Sequence, residues 1–174
     1  MSTHLASTCV SASFGSLSLF GAEILSLEAS LVTNHSASVS SAVRFTQPSI
    51  DVQNATFCNI TVSYTHPGQG DNILVEAWLP VDNWNGRFQA VGGGGWIAGR
   101  YDDGYSAMSG AIADGYATIT TDAGLRAQDA SFWALLSPGT VNLYNLQNLA
   151  SVSLEDEVRV HARLYADING FTHK

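Results

Sequence analysis

The clearest hydrophobic pattern in the chain is an alternation of apolar and polar residues over positions 57–64. A period of two is typical of a half-buried strand. A turn cluster at 66–71 and a second apolar run at 73–79 complete a predicted hairpin. Another turn at 80–86 leads into a predicted strand over 87–91. The pattern therefore predicts a sheet that opens with antiparallel strands.

The segments before this hairpin have weaker patterns. A polar arm runs to about Leu19, and residues 23–33 have a mixed period that fits either a strand or a short helix. We interpret 23–33 as a strand. Residues 34–55 are rich in Ser, Asn, Thr and Gln and contain Pro48, so we predict a loop there.

The architecture changes after residue 91. The small residues of 106–114 predict a helix that ends at Gly115, and the β-branched run 116–121 predicts another strand. A strand, a helix and a strand in this order form a βαβ crossover, which places its two strands parallel. The predicted class is therefore α/β, and the residues after 91 lie at the carboxyl end of a strand, where open α/β sheets bind ligands.

Four consecutive glycines occupy that position, and we call them the glycine loop: Gly92, Gly93, Gly94 and Gly95. Glycines weaken regular structure, but they let a backbone aim several N–H groups at one point, which attracts a phosphate, a carboxylate or a developing oxyanion. The run lacks the Gly-Lys-Ser/Thr ending and the glycine spacing of nucleotide sites. The closest motif is the glycine-rich oxyanion loop of hydrolases. The alternative is a flexible turn without chemistry.

The C-terminal third predicts helices. Asp122 follows the last predicted strand, and we expect it to have a structural role, as a cap or as an acceptor for a glycine N–H. Apolar residues recur near helical spacing from Leu143 to Val152, and an amphipathic helix continues through 155–165. Glu155 and Arg159 are placed four residues apart as an exposed ion pair.

Composition limits the possible partners. The chain has 174 residues, 45% of them hydrophobic, which is enough for one domain. It carries 7 Lys and Arg against 15 Asp and Glu, a net charge of −8, so we expect no nucleic-acid or anionic-membrane partner. No apolar run reaches the length of a membrane span, and no signal peptide is visible at the start.

Two features nevertheless indicate secretion. Cys9 and Cys58 fit one disulfide between the N-terminal arm and a strand; the alternative is two buried thiols in a reducing compartment. Three N-glycosylation sequons begin at Asn34, Asn54 and Asn59.

Several linked blocks carry a family resemblance. Residues 88–96, 115–124, 133–139 and 142–150, in this order, resemble the tannase and feruloyl esterase family, over roughly residues 58–154. The resemblance implies a secreted esterase with an α/β-hydrolase fold, a Ser-His-Asp triad, a calcium-binding lid and cleavage of phenolic esters. It also implies that the glycine loop contributes to the oxyanion hole.

The catalytic part of that family pattern is missing here. The resemblance implies a nucleophile in a Cys-Ser-x-Gly-Gly motif further along, followed by the triad Asp, the His and the lid, and the sequence contains no Cys-Ser dipeptide. Ser106, in 104–108, is a poor substitute because it does not stand on a strand-to-helix elbow and the segment ends in Met. The five histidines are scattered, so we predict surface positions for them, and no spacing predicts a metal site.

We therefore predict one incomplete esterase domain. Its parts are a β-rich arm and hairpin (1–86), the oxyanion-loop crossover with a helix (87–154), and a divergent tail (155–174). Without its triad the chain is expected to be inactive, with no cofactor of its own; the complete enzyme would act on a small phenolic ester. The alternatives are a secreted binding module with an aromatic platform of Trp84, Trp96, Tyr101 and Tyr105, or a fragment without function.

Overall fold

Five strands form one mixed sheet in the computed structural model of the chain, which describes residues 6–44, 47–126 and 129–169. The strands are β1 (Glu23–Val39), β2 (Ile50–Thr65), β3 (Ile73–Pro80), β4 (Phe88–Ala90) and β5 (Ala117–Thr121). Their order is β1-β2-β3-β5-β4, with β4 and β5 parallel and the other pairs antiparallel. The predicted α/β class, the hairpin and the parallel crossover are confirmed. The crossover inserts β5 between β3 and β4, which are therefore not neighbours.

Helices follow the crossover and fill the C-terminal third. They are α1 (Asp102–Ala113), α2 (Ala130–Trp133), α3 (Leu143–Gln147) and α4 (Ser153–Asn169), with a π-helical segment, Asn148–Val152, before α4. A small hairpin of β6 (Leu135–Ser137) and β7 (Thr140–Val141) separates α2 from α3, and short 3₁₀ turns span Ser11–Ser13 and Ser41–Val43. The helices predicted at 106–114 and 155–165 are confirmed, and both are longer than predicted.

Helix α1 covers one face of the sheet. Met108 and Ile112 on α1 pack with Phe57 and Trp78 from β2 and β3. The helix ends as predicted at Gly115, whose φ of +80° is left-handed and whose Cβ would lie 2.3 Å from the Asn83 carbonyl oxygen. Both the conformation and the space therefore require glycine at this position.

Helix α4 and the N-terminal arm cover the other face. Val160 and Leu164 from α4 join Phe14 in a core with the inner residues of β2, β3 and β5. The predicted disulfide between Cys9 and Cys58 is present, with a Cα–Cα distance of 5.6 Å. Closing a loop of this length stabilises a fold by roughly 3–4 kcal/mol on the chain-entropy model. The disulfide therefore fastens the arm to the centre of β2.

The loop predicted for 34–55 is wrong over most of its length. Strand β1 continues to Val39 and β2 begins at Ile50, so the two strands form a long ribbon. Only one side of this ribbon packs on the protein, through residues such as Val39 and Val52, which are buried. The other side is exposed and carries the Ser, Asn and Gln residues that resemble loop composition.

Glu157 is a buried acid on α4. Its side chain is 2% exposed, and Oε1 has no hydrogen-bond partner among the described residues. Burial raises the pKa of Glu157 from 4.5 to about 7.

We expect Glu157→Gln to remove a pH dependence of stability. Because the folded pKa lies above the unfolded one, Glu157 contributes stability below about pH 4.5 that is lost as the pH rises to about 7, by roughly 3 kcal/mol. Urea unfolding at pH 4.5 and 8 measures the loss, which should be smaller in the Gln variant. Glu155→Gln, at an exposed position of the same helix, is the control. Identical pH profiles for wild type and Glu157→Gln would contradict this account.

Candidate functional site

The glycine loop lies at the carboxyl rim of the two parallel strands. It follows β4 directly, and Thr121, the last residue of β5, lies on the same rim. The loop borders two open cavities. One, of about 570 Å³, extends to Arg87 and Tyr101. The other, of about 530 Å³, lies between the loop and Leu149 and Leu154. The loop therefore lines a concave surface.

The backbone of the loop is open to a ligand. The N–H groups of 92–95 donate no hydrogen bond to any described residue. A Cβ on Gly92 or Gly94 would meet nothing within 4 Å. A Cβ on Gly93 would lie 2.0 Å from the carbonyl oxygens of Ile97 and Ala98. Gly92, Gly94 and also Gly95 thus face open space, while Gly93 permits the tight return of the chain.

Thr120, inside β5, holds both ends of this loop. Its Oγ1 donates a hydrogen bond to the Val91 carbonyl (2.7 Å) and accepts one from the Arg100 N–H (3.1 Å). Gly99 lets this hydroxyl approach, because a Cβ there would lie 1.8 Å from it. The β-branched run of β5 predicted a strand but not this contact.

A buried carboxylate on β3 holds the side chain of the same arginine. Oε2 of Glu76, a residue only 5% exposed, accepts hydrogen bonds from Arg100 Nε (3.1 Å), Arg100 Nη2 (2.9 Å) and the Tyr105 hydroxyl (2.9 Å). Its Oε1 accepts one from Trp78 Nε1 (2.9 Å). Burial and the Glu76 charge raise the pKa of Tyr105 to about 12, so the hydroxyl remains a donor. A charged residue inside the apolar run 73–79 was the signal that could have revealed this site.

Asp122 has the structural role that the sequence predicted. Its Oδ1 accepts hydrogen bonds from the backbone N–H groups of Leu74 (2.9 Å) and Gly124 (2.8 Å). Burial raises the pKa of Asp122 despite these bonds. The carboxylate ties the turn after β5 to the start of β3.

His66 belongs to a buried polar cluster that the sequence did not reveal. Its Nδ1 lies 2.7 Å from Asp71 Oδ2 and its Nε2 lies 3.1 Å from Asp156 Oδ2, on α4. Asp156 also accepts a hydrogen bond from the Tyr64 hydroxyl (3.2 Å), and Asp71 accepts one from Asn148 Nδ2 (3.0 Å). The cluster therefore joins the β2–β3 turn to α4.

This cluster corrects the prediction that the histidines are surface residues, because His66 is only 7% exposed. Burial would raise the pKa of Asp71, but hydrogen bonds, chiefly from His66, lower it overall. Burial does raise the pKa of Asp156. Since both ring nitrogens of His66 face carboxylates, neither is free to act as the base of a serine nucleophile.

The other described histidines also lie against the protein rather than on an open surface. His35 Nε2 lies 3.0 Å from Ser109 Oγ, which in turn donates to the Tyr105 carbonyl. Burial lowers the pKa of His161 to about 4, and its ring packs on Phe88. His4 and His173 lie outside the described residues.

No catalytic triad is assembled in the part of the chain that the structure describes. The histidine that contacts a serine is His35, and it contacts Ser109 on α1 rather than Ser106. Ser109 is 3% exposed and so is closed to a substrate. The described residues also contain no group of three or more His, Cys, Asp or Glu side chains that could hold a metal ion.

The aromatic platform of the alternative interpretation is not assembled either. Trp84 packs on Tyr165 of α4, whereas Trp96 packs near Trp133. Tyr105 stacks on Trp78 beneath α1, on the opposite face of the sheet from α4. Tyr101 lines the larger cavity beside the glycine loop. The four rings therefore lie at separate places.

Comparison with known proteins decides the family. The family model described as tannase and feruloyl esterase matches residues 58–168. The chain belongs to the tannase and feruloyl esterase family. The matched range includes most of the segment 155–174, which the sequence analysis set apart as divergent.

Individual tannases and feruloyl esterases agree with this membership. The chain is 46% identical over 114 residues to a probable feruloyl esterase of Arthroderma benhamiae, a match that covers 63% of this chain and 21% of that protein. It is 36% identical over 89 residues to a tannase of Aspergillus oryzae, covering 49% of this chain and 14% of the tannase. The structure is similar to tannin acyl hydrolase from Aspergillus niger, with a TM-score of 0.79, 26% identity, and coverage of 98% of this chain and 31% of the other. The chain thus spans a minor part of the length of these relatives.

Membership of the tannase and feruloyl esterase family leaves the role of the glycine loop untested. The assignment of Gly92, Gly93, Gly94 and Gly95 as oxyanion donors stays a prediction. None of the described helices is long and apolar enough to cross a membrane.

We expect Gly93→Ala and Gly94→Ala to differ in stability although the residues are adjacent. The new methyl group at 93 would collide with two carbonyl oxygens, which should cost about 1–3 kcal/mol. The methyl group at 94 meets open space and should change stability by less than about 0.5 kcal/mol. Chemical denaturation of both variants measures the difference, and equal losses would mean that the loop is not closed as described.

We expect Arg100→Met to destabilise the fold by about 3–5 kcal/mol, because it leaves the Glu76 carboxylate buried without its cation. Adding Glu76→Gln should recover part of this loss, since the charge is then removed as well. Arg159→Met breaks the confirmed but exposed pair with Glu155 and should cost less than about 1 kcal/mol. Denaturation of the three variants measures these energies. A double variant no more stable than Arg100→Met would contradict the ion pair as the cause.

Proposed function

We propose that this chain forms the oxyanion-hole part of a serine carboxylic ester hydrolase that acts on phenolic esters of the feruloyl or galloyl type. The relatives named feruloyl esterase, tannase and tannin acyl hydrolase support the reaction class. The observation that carries the proposal is that the N–H groups at 92–95, on a concave part of the carboxyl rim, donate to none of the described residues.

Attack on an ester carbonyl places negative charge on its oxygen, and preorganised N–H donors stabilise that charge. In the proposed enzyme an N–H from the glycine loop supplies one donor. In an α/β-hydrolase fold, of which this chain would be the N-terminal portion, the residue after the serine nucleophile supplies the second. One such donor is typically worth about 3–4 kcal/mol of transition-state stabilisation.

The groups that attack the ester and move the proton would come from outside residues 1–174. No described serine has a histidine that is in turn held by a carboxylate, and the relatives are several times longer than the matched segment. We therefore take residues 1–174 alone to be inactive. The disulfide and the sequons support secretion of the complete enzyme as a glycoprotein.

Two measurements on the purified chain test this function. First, residues 1–174 should not hydrolyse methyl ferulate or methyl gallate above background. Turnover that persists in Ser106→Ala would refute the site assignment. It would mean that residues 1–174 contain a nucleophile other than the one candidate serine in the sequence.

Second, ¹⁵N-labelled chain should show amide shifts at 92–95 when ferulate is added, because the carboxylate imitates the charge of the oxyanion. Coniferyl alcohol, which has the same ring and side chain but no carboxylate, is the matched control and should shift these amides much less. Equal shifts with both ligands, or shifts confined to residues remote from the loop, would reject the loop as an oxyanion site.

A further inference from the structure

The ribbon formed by β1 and β2 extends past the main sheet, at the end opposite the glycine loop. The pairing of β2 with β3 ends at Phe57 opposite Pro80, whereas the pairing of β2 with β1 continues to Ile50 opposite Val39. Because β3 runs antiparallel to β5, Pro80 lies at the amino rim of the parallel strands. Residues 50–56 therefore pair only with β1, while the turn that joins the two strands reaches the larger cavity through Ala42, Val43 and Arg44.

Two of the three sequon asparagines lie on the part of the ribbon that extends past the main sheet, each at an irregularity of the pairing. Asn34 lies between the paired residues Val32 and His35 of β1, and Asn54 lies at the next register shift, between the paired residues Val52 and Ala55 of β2. Their φ angles are +58° and +53°, in the left-handed region that asparagine tolerates better than most residues. The Asn54 N–H donates to Ser36 Oγ of the other sequon (3.1 Å), so the two sites are neighbours.

The ribbon has an inner and an outer side, and both asparagines are exposed. The inner side packs on α1, where His35 contacts Ser109 and where Val39 and Val52 are buried. Asn34 and Asn54 are exposed together with the polar residues of the outer side, which are Ser36, Ser38, Asp51 and Gln53. A sugar on either asparagine would extend into water without displacing a packed group.

Asn59 is in a different environment. It lies in the part of β2 that is paired on both edges, opposite Ser30 of β1 and Trp78 of β3. Its side chain is half-buried, and Oδ1 is buried without a hydrogen-bond partner among the described residues. A sugar would be attached to Nδ2 of the same side-chain amide. It would have to displace neighbouring side chains on the face of the sheet that α1 covers.

We propose that Asn34 and Asn54 carry N-linked glycans in the folded protein and that Asn59 does not. Both glycans would project from the exposed side of the ribbon, and neither asparagine lines either of the two cavities beside the glycine loop. The modification rests on the proposed secretion, because its donor is a lipid-linked oligosaccharide diphosphate of the secretory pathway. The Asn Nδ2–sugar bond forms, the sugar–phosphate bond breaks, and the amide loses one proton.

The test uses the whole chain, exported by a yeast under an added leader and purified as folded, disulfide-bonded protein. Removal of the glycans by an amidase in H₂¹⁸O converts each modified Asn to ¹⁸O-labelled Asp, which peptide mass spectrometry locates. We expect the label at positions 34 and 54 and none at 59. The matched variants Asn34→Gln, Asn54→Gln and Thr61→Ala each remove one sequon, and only the first two should increase mobility on a denaturing gel.

Label at Asn59 in the folded fraction would overturn the proposal, and so would absence of label at both 34 and 54 while a co-expressed reporter glycoprotein is modified. This readout is independent of ester hydrolysis and of ferulate binding. Failure of the oxyanion assignment would therefore leave the glycan map unchanged, and an unexpected glycan map would leave the oxyanion test unaffected.

Discussion

The closure of the glycine loop over the sheet is the constraint on which the candidate site depends. The Thr120 hydroxyl bonds the chain just before and just after the loop, and the Glu76 carboxylate holds the Arg100 side chain. Both groups are buried in neighbouring strands, so the ends of the loop are fixed to the inner strands of the sheet. The intervening glycines can then keep their N–H groups unpaired without the loop collapsing onto itself.

This arrangement explains why a carboxylate lies within the sheet. A buried charge is costly unless it is paired and hydrogen-bonded, and Glu76 has four donors around its two oxygens. Its contribution is positional, because it sets where the chain leaves the loop and enters α1. The donors of an oxyanion hole are effective only when they are oriented before the reaction, so such a fixed exit suits the proposed role.

The chemistry of the proposed enzyme is then divided along the chain. The described residues provide a sheet, the glycine loop proposed to bind the oxyanion and two open cavities, while their histidines are engaged in packing and in structural hydrogen bonds. The His66 cluster illustrates this division, since it joins α4 to the β2–β3 turn and leaves no free base. The similarity to tannin acyl hydrolase over nearly the whole of this chain, but under a third of that protein, agrees with a part that supports chemistry completed elsewhere.

The local sequence pattern was sufficient to predict the β2–β3 hairpin, the crossover, the end of α1 at Gly115 and the position of the glycine loop. These features depend on alternation, β-branching and glycine, which act over a few residues. The linked sequence blocks were also sufficient to identify the family, and the two cysteines were sufficient to predict the disulfide. Only the tertiary structure decided that 34–55 is mostly ribbon and that β5 separates β3 from β4. It also decided that His66 and Glu76 are buried and that Asn59 is half-buried with a buried Oδ1. Burial and pairing partners depend on residues distant in sequence, and a polar side chain has no periodic signal that tells whether it faces water or a partner 24 to 90 positions away.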